Sequence, residues 1–164
     1  MTRRLHVAVQ VRLRPALAAD AHAAAELLIV TRRELMPFAP SAHADDETRA
    51  WVAGVLIPGG GVTVALDAQG AIVGVLAVSV LDGTGWIDQL FVRSTHIGRG
   101  IGQALLAHAL AQLPRPVQLY TFQANARARA FYEGRGFEVE ALTDGQGNEE
   151  HCPDVLYRLD APRG

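Results

Sequence analysis

Hydrophobic and polar residues alternate near the start of the chain, where Val7, Val9, Val11 and Leu13 are separated by Ala8, Gln10 and Arg12. A period of two predicts a strand. From residue 20 to about 35 the spacing lengthens, and Ala24, Leu27, Leu28 and Leu35 fall on one face of a helix rich in helix-forming residues. The prolines of MPFAPSAHADDE interrupt it, and a second helix is expected over about 45–56, carrying Trp51, Val52, Val55 and Leu56. Three strands then meander: 62–66, AIVGVLAVSVL and WIDQLFV, joined by the turn signals DAQG and DGTG. A glycine-rich loop leads into a helix ending near Gln112, followed by the strand VQLYTF, a helix from 125 to about 135, and the strands GFEVEAL and DVLYRL. The order β, α, α, β, β, β, α, β, α, β, β predicts an α/β (α+β) fold. Its sheet should be mixed but mostly antiparallel, with about seven strands and four helices on its faces. Residues 1–164 read as a single domain.

Composition narrows the partners. The chain has 15 basic and 17 acidic residues, a formal charge of −2, and every basic residue is an arginine. That balance offers no general attraction for nucleic acid or for an anionic membrane. The single cysteine, Cys152, forms no internal disulfide, and no stretch approaches the length of a membrane span. The expected compartment is the cytoplasm. The six histidines show no metal-binding spacing, so no metal is implied.

In HIGRGIGQALL, Gly98, Gly100 and Gly102 alternate with Arg99 and Ile101, after one expected strand and before a helix. Unbonded N–H groups in the first helical turn, aided by the helix dipole, suit a pyrophosphate. A plain turn explains the glycines equally well. A Walker loop requires a lysine, which is absent, and the dinucleotide fingerprint lacks its third glycine here. A second motif, NARARAFYEGRGF, sets Asn125, Ala128 and Tyr132 on one helical face before Gly136 ends the helix.

Together, LFVRSTHIGRGIGQALL and NARARAFYEGRGF resemble the acetyl-CoA-binding motifs of the GNAT superfamily of N-acetyltransferases. The likeness covers residues 86–137, and the outer segments resemble those of a bacterial branch. The resemblance implies that the strand end at Leu90, Phe91 and Val92 pairs with the pantetheine arm of acetyl-CoA. It implies that Gly98, Arg99, Gly100, Ile101, Gly102 and Gln103 form the pyrophosphate loop, and that Asn125 faces the pantetheine. Tyr132 becomes the acid that protonates the departing sulfur, and the Val92 N–H, at an expected bulge in its strand, the donor to the reacting carbonyl. The family usually has Gln or Arg where Ile97 stands, which predicts a weaker phosphate contact.

The resemblance implies acetyl transfer to a primary amine of a small molecule or peptide by direct attack. A base must take the amine's proton. Asp88 is the first choice, because alternation points it to the same face as Leu90 and Val92; His43, Glu150 and His151 are alternatives. Met36 and Phe38 are expected to wall the acceptor site with His43 and Glu150. The loops there carry Asp45, Asp46, Glu47, Glu149, Glu150 and Asp154 and no arginine, so the rim should favour cationic or neutral amines over anionic ones. A catalytically silent acyl-CoA sensor on the same fold is the alternative function. Exposed strand edges are compatible with a homodimer.

Overall fold

Seven strands and four α-helices follow one another in the computed structural model, which describes residues 10–162. Strands β1 (Arg12–Pro15), β2 (Val62–Leu66), β3 (Ile72–Leu81), β4 (Thr84–Val92), β5 (Val117–Phe122), β6 (Glu138–Leu142) and β7 (Asp154–Leu159) form one sheet, ordered β1-β2-β3-β4-β5-β7-β6. Helices α1 (Ala21–Leu35), α2 (Asp45–Trp51), α3 (Ile101–Gln112) and α4 (Ala126–Glu133) cover it. Leu13 of the alternating N-terminal segment lies in β1, whereas Val7 and Val9 fall outside the described residues.

The second helix departs from its expected extent. It is α-helical only to Trp51, and Val52–Leu56 continue in the wider π turn, in which the Ile57 N–H reaches the Val52 carbonyl. Gly54 lies inside this turn and Pro58 follows it, and both weaken regular α-helix.

Alternation sorts the apolar side chains into two cores. On one face Ile101, Leu105 and Leu106 of α3 meet Val73, Leu76, Leu119 and Tyr157. On the other, Ala24, Leu27, Leu28 and Val52 meet Val62, Val64 and Val75. Strand β2 is buried throughout because both of its faces are covered. Each such aliphatic side chain contributes about 1.5–3 kcal/mol when fully buried.

One junction in the sheet is parallel. Strands β4 and β5, linked by α3, pair only at Gly85↔Val117 and Trp86↔Gln118. Beyond those two pairs they separate, while β5 stays bonded to β7 on its other side. The result is a gap between the C-terminal ends of two strands in the middle of the sheet.

A candidate active site between two diverging strands

The gap is a cleft of about 740 Å³ whose walls include Leu90, Phe91 and Val92 of β4, Tyr120 and Phe122 of β5, and Tyr132 of α4. Backbone hydrogen bonding determines what β4 offers it. The Arg93 N–H bonds to the Val73 carbonyl, and antiparallel bonding alternates, so Phe91 turns its N–H to β3 while Leu90 and Val92 turn theirs toward the gap. With no β5 partner at that level, these are ready donors.

A bulge precedes them. Ala77 pairs with Gln89 and Val78 with Ile87, which leaves Asp88 as the extra residue of β4. Ile87 and Leu90 consequently both join the α3 core, three positions apart, and the expected shared face for Asp88, Leu90 and Val92 is broken. Asp88 still lines the gap. Asp88 is exposed to the open gap, and desolvation by the surrounding walls raises its carboxyl above the ordinary aspartate value, opposed by a hydrogen bond with Ser79.

At the mouth of the gap, Gly98 and Gly100 have φ of 81° and 83°, and a Cβ on either would project into open space. Gly100 is the left-handed N-cap of α3 and supplies no side-chain cap. Its carbonyl takes the Ala104 N–H, so the N–H groups of Ile101, Gly102 and Gln103 remain unbonded within the helix. Gly102 differs from the other two: a Cβ there would touch the Phe131 ring at 3.5 Å, an ordinary contact, and its φ is not positive. The Arg99 side chain is exposed and lies outside the cleft lining, as does that of Ile101, which is buried in the α3 core.

Helix α4 closes the floor. Asn125 is its N-cap, accepting the Ala128 N–H on Oδ1 at 3.1 Å, which leaves the amide NH2 for the gap. Tyr132, only 7% exposed, is wedged among Phe131, Phe137 and Tyr157. Burial pushes its hydroxyl well above the usual tyrosine value, so it stays protonated. That hydroxyl makes no hydrogen bond among the described residues. Tyr157 next to it is committed, donating to Glu133 and accepting from Arg129.

On the far side, the rim is a set of ion pairs. Arg32 binds Glu150 at 2.7 Å, Arg33 binds Asp45 at 2.5 Å, and Arg49 binds Asp46 at 2.8 Å and Glu26 at 2.6 Å. His43 lies between Glu149 at 2.7 Å and Glu47 at 3.2 Å. Asp154 is buried, accepting from the Thr143 hydroxyl and from Asn148, and it fastens the loop before β7. Three of the six loop acids, Asp45, Asp46 and Glu150, are thus paired with arginines on α1 and α2. Charge counted by segment missed this, because the partners come from other segments.

Residues 28–137 match the family model described as the acetyltransferase (GNAT) family. The chain belongs to the GNAT acetyltransferase family. Among solved structures it is similar to the PaiA N-acetyltransferase of Thermoplasma acidophilum in complex with coenzyme A, at 15% identity and a TM-score of 0.73, covering 93% of this chain and 99% of that one. It is similar to apo YjaB from Escherichia coli, at 18% identity and a TM-score of 0.72 over 91% and 97% of the two chains. Arabidopsis thaliana NAA60 in complex with a bisubstrate analogue aligns at 19% identity and a TM-score of 0.67 over 92% and 98%. At these identities the likeness is one of fold. No curated protein matches the chain.

In this acetyltransferase the gap gathers Asp88, Leu90, Phe91, Val92, Gly98, Gly100, Gly102, Gln103, Asn125 and Tyr132, together with Met36 and Phe38 from the α1–α2 loop. It does not gather every candidate. His43 and Glu150 line a neighbouring cavity under the ion-paired rim, and neither shares the lining with Asp88. Among the lining residues that the sequence reading did not single out are Tyr120 and Phe122 of β5, Arg127 in the first turn of α4, and Arg135 just after that helix, 4.0 Å over the Phe131 ring. Among the described residues no helix is long and apolar enough to cross a membrane, and no cluster of His, Cys, Asp and Glu is arranged to hold a metal.

The His43 clasp yields a prediction with a definite sign. Hydrogen bonds to Glu149 and then Glu47 raise the imidazole pKa. The fold therefore favours imidazolium, and the stabilisation is complete below the ordinary value of about 6.5 and lost as pH rises through the raised one. The melting-temperature difference between the native protein and His43→Gln should narrow as pH is raised from about 6 to about 9. A difference that widens would contradict the clasp.

Proposed function

We propose that this acetyltransferase moves an acetyl group from acetyl-CoA to a primary amine of a small molecule or peptide by direct attack. The observation that carries the reading is the convergence, in one gap, of unpaired β4 and α3 N–H groups with a buried tyrosine hydroxyl that has no other partner. The open space beside Gly98 and Gly100 and the free amides of Ile101, Gly102 and Gln103 suit a pyrophosphate. Arg127 and Arg135 add positive charge along the same wall. The N–H of Leu90 suits an amide of an extended pantetheine arm, as an added strand would, and leaves that of Val92 for the thioester carbonyl. Ile97 leaves phosphate binding to the backbone.

When bound, acetyl-CoA supplies a thioester carbonyl carbon and a thiol leaving group. The amine nitrogen forms the new C–N bond as the C–S bond breaks. Asp88 takes a proton from the ammonium so that the nitrogen has a lone pair; its raised carboxyl makes it a stronger base than an ordinary aspartate. The Val92 N–H donates to the carbonyl oxygen as that atom gains charge, a contribution of about 10²–10³ in rate for one such donor. Tyr132 gives its phenol proton to the departing sulfur, and the second proton that the nitrogen sheds as the amide forms restores the phenol. Cys152 has no part, since the amine itself is the nucleophile.

The test is a pH–rate profile with intact-protein mass measurement. Asp88→Asn should lower kcat/KM about 10²-fold near neutral pH, with the deficit shrinking as pH approaches the amine's own pKa and free base becomes plentiful. No acetyl group should accumulate on the protein. An unchanged profile would remove Asp88 as the base, and an acetylated enzyme that passes its acetyl group to the amine would replace direct attack.

A further inference from the structure

Strand β5 carries two aromatic side chains that the acetyl-transfer steps do not use. Val117 and Leu119 enter the α3 core, so Tyr120 and Phe122 project from the opposite face. Helix α1 covers that face over β3 and β4. Over β5, Tyr120 is left 55% exposed, with its ring stacked on Trp86 at 5.9 Å and 12°. Phe122 meets Phe38 edge-on at 6.2 Å.

Tyr120, Thr121 and Phe122 belong to two adjoining hollows at once. One is the gap with Asp88 and Tyr132; the other is a cavity of about 440 Å³ completed by Thr143, Asn148, Glu150 and Asp154. The smaller cavity is lined by two carboxylates and by no basic side chain. Arg32, which lines the reaction gap beside them, is bound to Glu150 and lies 5.9 Å over the Phe122 ring. An apolar, ring-lined surface that runs into the reaction gap, where Asp88 lies, complements a flat apolar body that carries an amine.

We infer that Tyr120 and Phe122 form a platform for the aromatic ring of the acceptor, which makes the acceptor class an arylalkyl primary amine whose nitrogen faces Asp88. The inference rests on the acetyl-transfer reading of the gap. It adds a specificity determinant, because ring stacking separates aromatic from aliphatic amines of equal length. A cavity of this size holds one ring and a short arm.

The experiment compares 2-phenylethylamine with n-hexylamine as acceptors, in the native protein, Tyr120→Ala and Tyr120→Phe. The native protein should prefer the aromatic amine by about tenfold in kcat/KM. Tyr120→Ala should bring that ratio close to one, and Tyr120→Phe should keep it. A native ratio near one, or a ratio that survives Tyr120→Ala, would overturn the inference.

Calorimetric titration of the CoA-loaded protein with both amines separates this inference from the reading beneath it. Preferential binding of 2-phenylethylamine that Tyr120→Ala abolishes, without turnover of either amine, would support the platform and refute acetyl transfer. Equal binding of the two amines would overturn the platform whatever the turnover. Sedimentation covers the remaining occupant: a dimer that Tyr120→Ala dissociates would make the surface a subunit interface and overturn the inference.

Discussion

Replacing Tyr132 with phenylalanine is expected to lower the turnover number about 10²–10³-fold while leaving CoA affinity unchanged. The substitution removes one oxygen and keeps the ring that packs against Phe131, Phe137 and Tyr157. Because the hydroxyl has no protein partner, its loss leaves no orphaned group behind, and stability should hold or rise slightly. The neighbouring Tyr157→Phe provides the contrast. Its hydroxyl ties Arg129 to Glu133, so that change should cost stability, on the order of 1 kcal/mol, with little direct effect on chemistry. Stopped-flow release of thiol, together with calorimetry of CoA binding, reads both. An unchanged chemical rate in Tyr132→Phe would assign sulfur protonation to water or another donor.

Substituting valine for Gly100 is expected to weaken CoA binding about tenfold or more. At a φ of 83° a β-branched residue is strained by roughly 1–3 kcal/mol, and its methyl groups would fill the open space beside the first turn of α3. Gly102→Ala is the matched comparison, because its Cβ would make only ordinary contacts with Phe131 and Val92. It should fold normally and retain more of the affinity. Circular dichroism and calorimetry on both variants distinguish a damaged helix start from a blocked phosphate site. Equal, native-like affinity in two folded variants would move the pyrophosphate away from this loop.

Much of this arrangement is legible in the sequence because its signals are local. Alternation marks the first strand, apolar runs bounded by turn signals mark the meander, and the glycine loop with NARARAFYEGRGF marks both walls of the cofactor end. What escapes is set by pairing between distant segments. The resemblance implies a bulge at Val92, but Val92 pairs regularly with Gly74 and the extra residue is Asp88; its position exists only relative to β3, and nothing within WIDQLFV announces it. The rim reads as acidic until α1 and α2 bring Arg32, Arg33 and Arg49 against it. Asn125 presents the same lesson in reverse. The family resemblance assigns it to the cofactor, whereas its carbonyl oxygen caps α4, so Asn125→Ala would disturb both. Tyr120 and Phe122 do leave a trace, as aromatic residues on the non-core side of VQLYTF, a position that usually carries polar residues on an exposed face.

The most direct test of acetyl transfer by these residues is product mass spectrometry. The purified protein is incubated with isotopically labelled acetyl-CoA and a panel of primary amines, and each amine is weighed alongside the free thiol released. The account predicts a labelled N-acetyl amine in equal amount to the thiol, formed by the native protein and nearly lost in Tyr132→Phe. Tight CoA binding with no labelled amine across the panel, or labelled product formed equally well by Tyr132→Phe, would contradict it.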